Sequence, residues 1–321
     1  MLAAFVALLV VQNRKELPAA WRSLRHARGS MVGLTAAGMV LWLVNLAYLH
    51  GASQRAAGLD SRPTRLLLTA VGANFLNLVT KSGGMAGLPL FLTRGRARNH
   101  ARGPIVAAYL LTTVLLEMAF AATLAVALAV VTADGRLTRA ETVAGVLFAF
   151  YLAARVTILS IAARSRPSLR ALYALPRRAL ARLRRRDVRD EPDHTGADEL
   201  FDAMALIRAR PRAALAAFGH GLLVEAIGIG ELWAVMRAVG ASGGIVTATV
   251  AYSVSVLFAI VGFLPGGLGY VEVSLGAVLV SFGSTGATAA AAVLLYRVFE
   301  LWLPLVLGAT AAHVVRRQAT V

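Results

Sequence analysis

Long apolar runs follow one another along almost the whole chain, separated by short polar loops that are mostly rich in arginine. A helix needs about twenty apolar residues to cross the hydrocarbon core of a bilayer. Runs of that kind cover 31–50, 66–92, 104–132, 142–162, 213–236, 245–263 and 287–313, with shorter ones at 1–12 and 270–283. Inside hydrocarbon every backbone N–H and C=O must find a partner within the protein, and a helix satisfies its own. The chain is therefore expected to be all-α, a polytopic transmembrane helical bundle of about eight spans. The run at 1–12 lacks a basic leader and a small-residue cleavage site, so it reads as part of a first transmembrane helix rather than a signal peptide.

Charge and composition exclude several functions. The net charge of +17 would suit a nucleic-acid binder. Here the basic residues stand in blocks beside the spans, where the positive-inside rule and anionic lipid headgroups account for them. No nucleic-acid partner is expected. The chain has no cysteine, which removes disulfides, thiolate metal sites and thiol nucleophiles. It also lacks His-Glu-x-x-His, a Walker loop, Gly-x-Ser-x-Gly and a paired acidic metal motif. The expectation is a protein that is not an enzyme, with no cofactor and no metal.

The blocks of arginine and lysine predict an orientation. By this rule 14–28, 94–102, 164–189 and the C-terminal Arg316 and Arg317 are cytoplasmic, and 133–141, 237–244 and 283–286 are external. Alternation also makes 51–65 external, against the grain of its Arg55, Arg62 and Arg65. The reading is a multi-pass protein of a bacterial-type cytoplasmic membrane, with the C-terminus and the 163–212 loop inside the cell. One integral membrane domain, 1–321, divides into a first helical half at 1–162, a connector at 163–212 and a second half at 213–321. The connector is basic, then acidic over 191–202. Leu200, Met204 and Ile207 fit a short amphipathic helix lying at the membrane interface, and Trp21–Arg25 fits another.

Two of the apolar runs are broken. The first break is Asn74-Phe-Leu-Asn77-Leu-Val-Thr80-Lys81-Ser82-Gly83-Gly84. Helical spacing would put Asn74, Asn77 and Lys81 on one face, a polar stripe ending in a cation. A helix starting after Gly83 and Gly84 would add free N–H groups suited to an anion. The second break is Pro265-Gly266-Gly267-Leu268-Gly269, followed by Glu272. Proline interrupts the helical ladder, and glycine admits backbone shapes closed to other residues. Irregular backbone at membrane depth persists only where protein buries it or a wet cavity reaches it. Both breaks therefore predict broken or re-entrant elements lining a cavity.

Ionisable residues fall inside the spans. Arg297 and Glu300 are three apart and can pair on one helix face. Arg297 could instead fork onto a phosphate or carboxylate. Glu117, Arg155, Glu225 and Glu231 are also at membrane depth, with pairing or proton carriage both open to them. His220 and His313 read as packing or interfacial residues.

At these residues the chain resembles the flippase-like transmembrane domain of bacterial lysylphosphatidylglycerol synthases. Pro265-Gly266-Gly267-Leu268-Gly269-x-x-Glu272 is similar to the family's Pro-Gly-Gly-x-Gly-x-x-Glu signature. Leu294-Leu-Tyr-Arg297, with Trp302-x-Pro304 and Gly308, resembles its final span, and Asn77 through Gly87 resembles its earlier break. Where relatives often have proline before the first glycine pair, this chain has Lys81-Ser82. The aminoacyl-transferase domain of the full synthases is not in this sequence, so synthase activity is not expected. The resemblance implies two related, inverted halves whose broken elements meet near the midplane. It also implies a lipid transporter or flippase-like protein handling an anionic phospholipid or polyprenyl-linked lipid. The headgroup would meet Asn74, Asn77, Lys81, Ser82, Gly83, Gly84, Pro265, Gly266, Gly267, Gly269, Glu272, Arg297 and Glu300. The alternative is a non-catalytic membrane partner that scaffolds lipid- or glycan-modifying enzymes.

Overall fold

The computed structural model describes residues 17–170 and 195–318. The run at 1–12 and the middle of the connector lie outside them. The described residues form twelve α-helices and no strand. These are α1 (Leu17–Arg25), α2 (Gly29–Ala56), α3 (Pro63–Val79), α4 (Leu88–Arg96), α5 (Arg102–Ala133) and α6 (Arg139–Arg164). After the connector come α7 (Thr195–Ala209), α8 (Pro211–Val239), α9 (Ile245–Val261), α10 (Tyr270–Ser281), α11 (Gly286–Arg297) and α12 (Leu303–Gln318). A π-turn at Val298–Trp302 joins α11 to α12 in one 33-residue apolar column. Five helices are long and apolar enough to cross a membrane: α2, α5, α6, α8 and the α11–α12 column. Their ends carry the expected local signals. Pro63 and Pro211 open α3 and α8, where a missing N–H costs nothing. Thr138 and Glu141 form a reciprocal capping box on α6, and Gly240 ends α8 in a left-handed conformation.

Helices α2 and α8 pack against each other along their full length, and they run antiparallel. The Arg28 N–H donates to the Ala238 carbonyl at 2.9 Å at one end. Gly38 lies against Glu231, where an added Cβ would stand 2.8 Å from Cγ. Asn45 Nδ2 donates to the His220 carbonyl at 2.9 Å, and Arg210 Nη1 donates to the Arg55 carbonyl at 3.1 Å at the far end. The succession of elements that begins with α2 recurs beginning with α8. A long helix leads to a 17-residue helix (α3, α9), then an eight-residue break (80–87, 262–269), a short helix (α4, α10) and a second long column (α5, α11–α12). The antiparallel start makes this an inverted repeat. The repeated elements occupy 29–133 and 211–318, so α6 lies outside the repeat although all but its last two residues fall in the 1–162 half.

Two main cores form, each drawing on both halves. Leu46, Leu49, Leu66, Phe91, Tyr109 and Val224 pack together between α2, α3, α4, α5 and α8. Leu232, Met236, Val254, Leu275, Leu279 and Tyr296 pack around α8 to α11. Glycine brings α3 and α12 close: a Cβ at Gly308 would lie 2.5 Å from that of Phe75, and one at Gly72 would lie 2.9 Å from the Ala312 nitrogen. Small residues of this kind let helices approach where no hydrophobic force drives them together in lipid. By contrast α6 leaves Val143, Val146, Leu147, Phe150, Ile158 and Ile161 exposed, as a lipid-facing helix should.

The packing also sorts the loops into two faces. Gly58 contacts Leu206, Gly103 N–H donates to Glu199 Oε2 at 3.0 Å, and Arg208 donates to the Ala163 carbonyl. Loops 57–62 and 97–101 therefore share a face with the connector, and the end of α12 joins them by running antiparallel to α3. On the other face, Arg136 Nη1 donates to the Ser281 carbonyl at 3.2 Å and Ser242 Oγ to the Gly283 carbonyl at 3.0 Å. There α1 borders a cleft with Gly240 and Thr285. Two expectations are thereby corrected. Residues 51–65 lie with the connector and 94–102, and the described part of 14–28, residues 17–28, does not. The cause is that 66–92 is no single crossing: α3 leaves the connector face and α4 returns to it, with Arg94 Nη1 3.3 Å from Thr69 Oγ1. Helices α9 and α10 do the same from the opposite face.

The connector helix also departs from expectation. Leu200 and Met204 are buried against Ala107, Ala108 and Ala162, so the apolar face of α7 packs on protein instead of lying in the interface. Its acids meet the basic part of the connector. Arg170 Nε and Nη2 fork onto Asp198 at 3.0 and 2.6 Å, and Arg166 Nη2 reaches Asp202 at 2.5 Å. The ion pair with Arg170 holds the Asp198 carboxyl below its ordinary range.

Candidate functional site

The two breaks meet inside the bundle. Helix α3 stops at Val79 because Thr80 turns extended (φ −129°, ψ 140°), and Gly83 and Gly84 come next with φ of +60° and +79°. Helix α9 stops at Val261, and Gly266 and Gly267 come next with φ of +60° and +63°. Two consecutive left-handed residues reverse the chain, and only glycine takes that shape at low cost. Lys81 Nζ, on the first break, donates to the Ala259 carbonyl in the last turn of α9 at 2.5 Å. It thereby caps the negative end of a helix from the other half. Gly266 in turn faces the Leu78 carbonyl at the end of α3.

The first break is held by polar side chains and stays open. Asn77 clasps it: Nδ2 donates to Tyr109 Oη at 3.1 Å, and Oδ1 accepts the Gly87 N–H at 3.0 Å. Tyr109 Oη donates to the Gly84 carbonyl at 2.8 Å. Ser82 Oγ accepts the Ala86 N–H at 2.8 Å. Arg155 on α6 bonds to Glu117 on α5, to Thr113 Oγ1 at 2.6 Å, and to the Gly83 carbonyl at 3.4 Å. Tyr151 Oη completes this group, 2.9 Å from Glu117 Oε1. Lys81, Ser82 and Gly83 are nevertheless exposed. Of the three ammonium donors of Lys81, one is bonded to Ala259.

The second break is closed. Arg297 is 3% exposed. Its Nε donates to Glu272 Oε1 at 2.8 Å, Nη1 to Glu300 Oε2 at 2.7 Å, and Nη2 to the Gly266 carbonyl at 2.9 Å. Glu272 Oε2 accepts the Gly269 N–H at 2.7 Å. Arg297 thus ties the start of α10, the π-turn and the glycine turn together, and is a strut rather than an open phosphate fork. Pro265 starts the 3₁₀ turn.

The stripe expected of Asn74, Asn77 and Lys81 does not form, because Lys81 lies past the end of α3 and the three side chains diverge. Asn74 lines a cavity of about 130 Å3 between the halves. Its other walls include Trp42, Glu231, Tyr252, Tyr296, Phe299 and Glu300. Nor does a helix start directly after the glycine pair: α4 begins at Leu88. The intervening N–H groups of Met85, Ala86 and Gly87 are bonded to Ser82 and Asn77. Glu225 bonds to Tyr252, and His220 Nδ1 donates to Asn45 Oδ1 at 2.6 Å, a hydrogen bond between α8 and α2. Tyr109, Tyr151, Thr113 and Tyr252 had no signal in the sequence. A hydroxyl in an apolar run has no spacing rule, and only the neighbouring helix reveals its partner.

Two glycine turns reached from opposite faces, each with a carbonyl held by a carboxylate-paired arginine, form the centre of this site. No match is found among curated proteins. The family model for the TM region of lysylphosphatidylglycerol synthase matches residues 1–308. This is an integral membrane protein, multi-pass and all-helical, and it belongs to the lysylphosphatidylglycerol synthase TM region family, which is named for lipid modification.

Proposed function

We propose that the protein moves lipid headgroups between leaflets without chemistry of its own. The observation that supports this best is the meeting of the two breaks through Lys81 and Ala259, beside a cavity shared by both halves. In a bilayer, α3–α4 and α9–α10 would be re-entrant elements entering from opposite sides. Broken helices at the interface of inverted repeats are a recurring design of transporter substrate sites.

The roles divide between the breaks. Lys81, Ser82, Gly83 and Gly84 would meet the anionic part of a phospholipid or polyprenyl-linked lipid, since Lys81 is cationic and the turn is exposed from Lys81 to Gly83. Asn77 and Arg155 would position that turn. Arg297, Glu272 and Glu300 would hold Pro265–Gly269 in shape, which moves Arg297 from headgroup contact to positioning. Gly266, Gly267 and Gly269 would supply the turn itself. The connector face, with Arg55, Arg62, Arg65, Arg94, Arg96, Arg98 and Arg102 besides the connector and C-terminal arginines, would face the cytoplasm of a cell membrane.

The test is transbilayer movement of fluorescent phosphatidylglycerol in proteoliposomes, with phosphatidylcholine as the zwitterionic control. Protein should accelerate the anionic lipid more, and Lys81→Ala should remove most of that preference while leaving the fold intact. Equal rates in protein-containing and empty vesicles would sink the reading and favour a scaffolding role beside lipid- or glycan-modifying enzymes.

A further inference from the structure

The carboxylates inside the bundle are not treated alike. Glu117, Glu272 and Glu300 each have a guanidinium partner. Among the described residues, Glu225 and Glu231 have none. Glu231 is 7% exposed, and its Oε1 has no hydrogen-bond partner. It lines the central cavity together with Glu300, and the lining contains no lysine, arginine or histidine.

The charges facing this cavity can be traced helix by helix. Helix α8 brings Glu231, α9 brings Tyr252 and α11 brings Tyr296 to its wall, while Glu225 stands behind Tyr252 and Arg297 behind Glu300. The π-turn brings Glu300, and Glu272 of α10 stands behind it on Arg297. Helices α2, α3 and α12 contribute Met39, Trp42, Asn74, Leu78 and Pro304, none of them titratable. Among the described residues Arg297 is the one cation set against Glu272 and Glu300, which leaves one negative charge, and Glu231 adds another. Unbalanced carboxylates at membrane depth are among the most costly groups a protein can hold. Two carboxylates facing one cavity relieve the cost when one of them takes up a proton. A metal ion is a poorer fit, since no group of three or more His, Asp or Glu able to hold one occurs among the described residues.

We propose that Glu231 and Glu300 form a proton-exchange site in the central cavity, and that its occupancy sets how firmly Arg297 holds the second glycine break. The proton comes from water in the cavity and returns to it, with no change of oxidation state. On Glu300 it replaces the ion pair with Arg297 by a weaker hydrogen bond from the guanidinium to a neutral carboxyl. Glu300 sits in a π-turn, a geometry frequent at functional sites. The strut would thus loosen on protonation and tighten on proton release. The site stands independently of the lipid reading.

The full chain in lipid nanodiscs tests this by infrared difference spectroscopy over a pH titration. A carboxylic-acid C=O band should appear on acidification and shift in heavy water. It should be lost or displaced in both Glu231→Gln and Glu300→Gln but kept in Glu225→Gln. A band unaffected by both substitutions, or no band at any pH at which the protein stays folded, overturns the site. The coupling is read with Val271→Cys, a buried position at the start of α10 in a chain without native cysteine. Maleimide labelling, expressed relative to that of free cysteine at the same pH because only the thiolate reacts, should rise several-fold as pH falls, and should lose that dependence when Glu231→Gln is added. A relative rate independent of pH in the single variant overturns the coupling.

Discussion

The breaks at 80–87 and 262–269 have the same length and the same left-handed glycine pair, yet they are stabilised in different ways. At the first, neutral hydroxyls and an amide do most of the holding, Arg155 is partly exposed, and the turn stays accessible. At the second, one buried guanidinium divides its bonds between two carboxylates and a carbonyl. A turn held by many weak neutral bonds can give way one bond at a time. A turn held by a single buried charge gives way all at once, because losing that charge strands its partners. The inverted repeat therefore duplicates a backbone shape while leaving each copy a different stiffness.

The sharpest way to break the comparison is to remove each arginine. Arg297→Ala leaves Glu272 and Glu300 without their cation and should cost about 3–5 kcal/mol, seen as a large fall in apparent Tm in detergent. Arg155→Ala should cost less, about 1–3 kcal/mol, because Glu117 keeps Tyr151 and partial access to water. Equal losses would show that the two breaks are equally rigid. Glycine substitution gives the next contrast. A Cβ at Gly267 would meet Ala259 Cβ at 2.7 Å and Val271 Cγ2 at 2.8 Å, so Gly267→Ala should combine a clash with backbone strain. At Gly83 only Tyr151 Oη at 3.8 Å is near, so Gly83→Ala should cost strain alone, about 1–2 kcal/mol by the same melts.

Smaller effects are expected at the open side. Lys81→Ala should change stability by about 0.3–1 kcal/mol, the scale of a charge at a helix end, while lowering the transfer of anionic lipid in vesicles. The smallest effect is in the connector. Asp198 is held below its unfolded value by Arg170, so its contribution is present above the ordinary carboxylate range. It is lost as pH falls through the lowered folded value. Amide exchange in α7 should quicken over that acid window, and Asp198→Asn should remove the dependence.

Much of the helix order was legible because apolar length and arginine blocks are dictated by the bilayer itself. The runs at 31–50, 104–132, 142–162 and 213–236 became α2, α5, α6 and α8 with ends shifted by a few residues. Both breaks were legible too, since proline and paired glycine at membrane depth have few other uses. The direction of the chain through the first break was not. Residues 66–92 are long enough to cross, and nothing in their composition distinguishes a crossing from a hairpin. The arginines of 51–65 pointed toward the hairpin, against the simple alternation of loops.

The sequence by itself determined a helical membrane bundle, its two interruptions, and the ionisable residues at membrane depth. It did so because hydrocarbon tolerates so few alternatives that each polar residue stands out. Only the tertiary structure decided which charges pair. It joined Arg155 to Glu117, it added Glu272 to the Arg297–Glu300 pair that spacing already allowed, and it left Glu231 without a cation in a cavity. The physical reason is distance. A guanidinium and a carboxylate some tens of residues apart become partners only when packing brings their helices together, as α5 meets α6 and α10 meets α11 here.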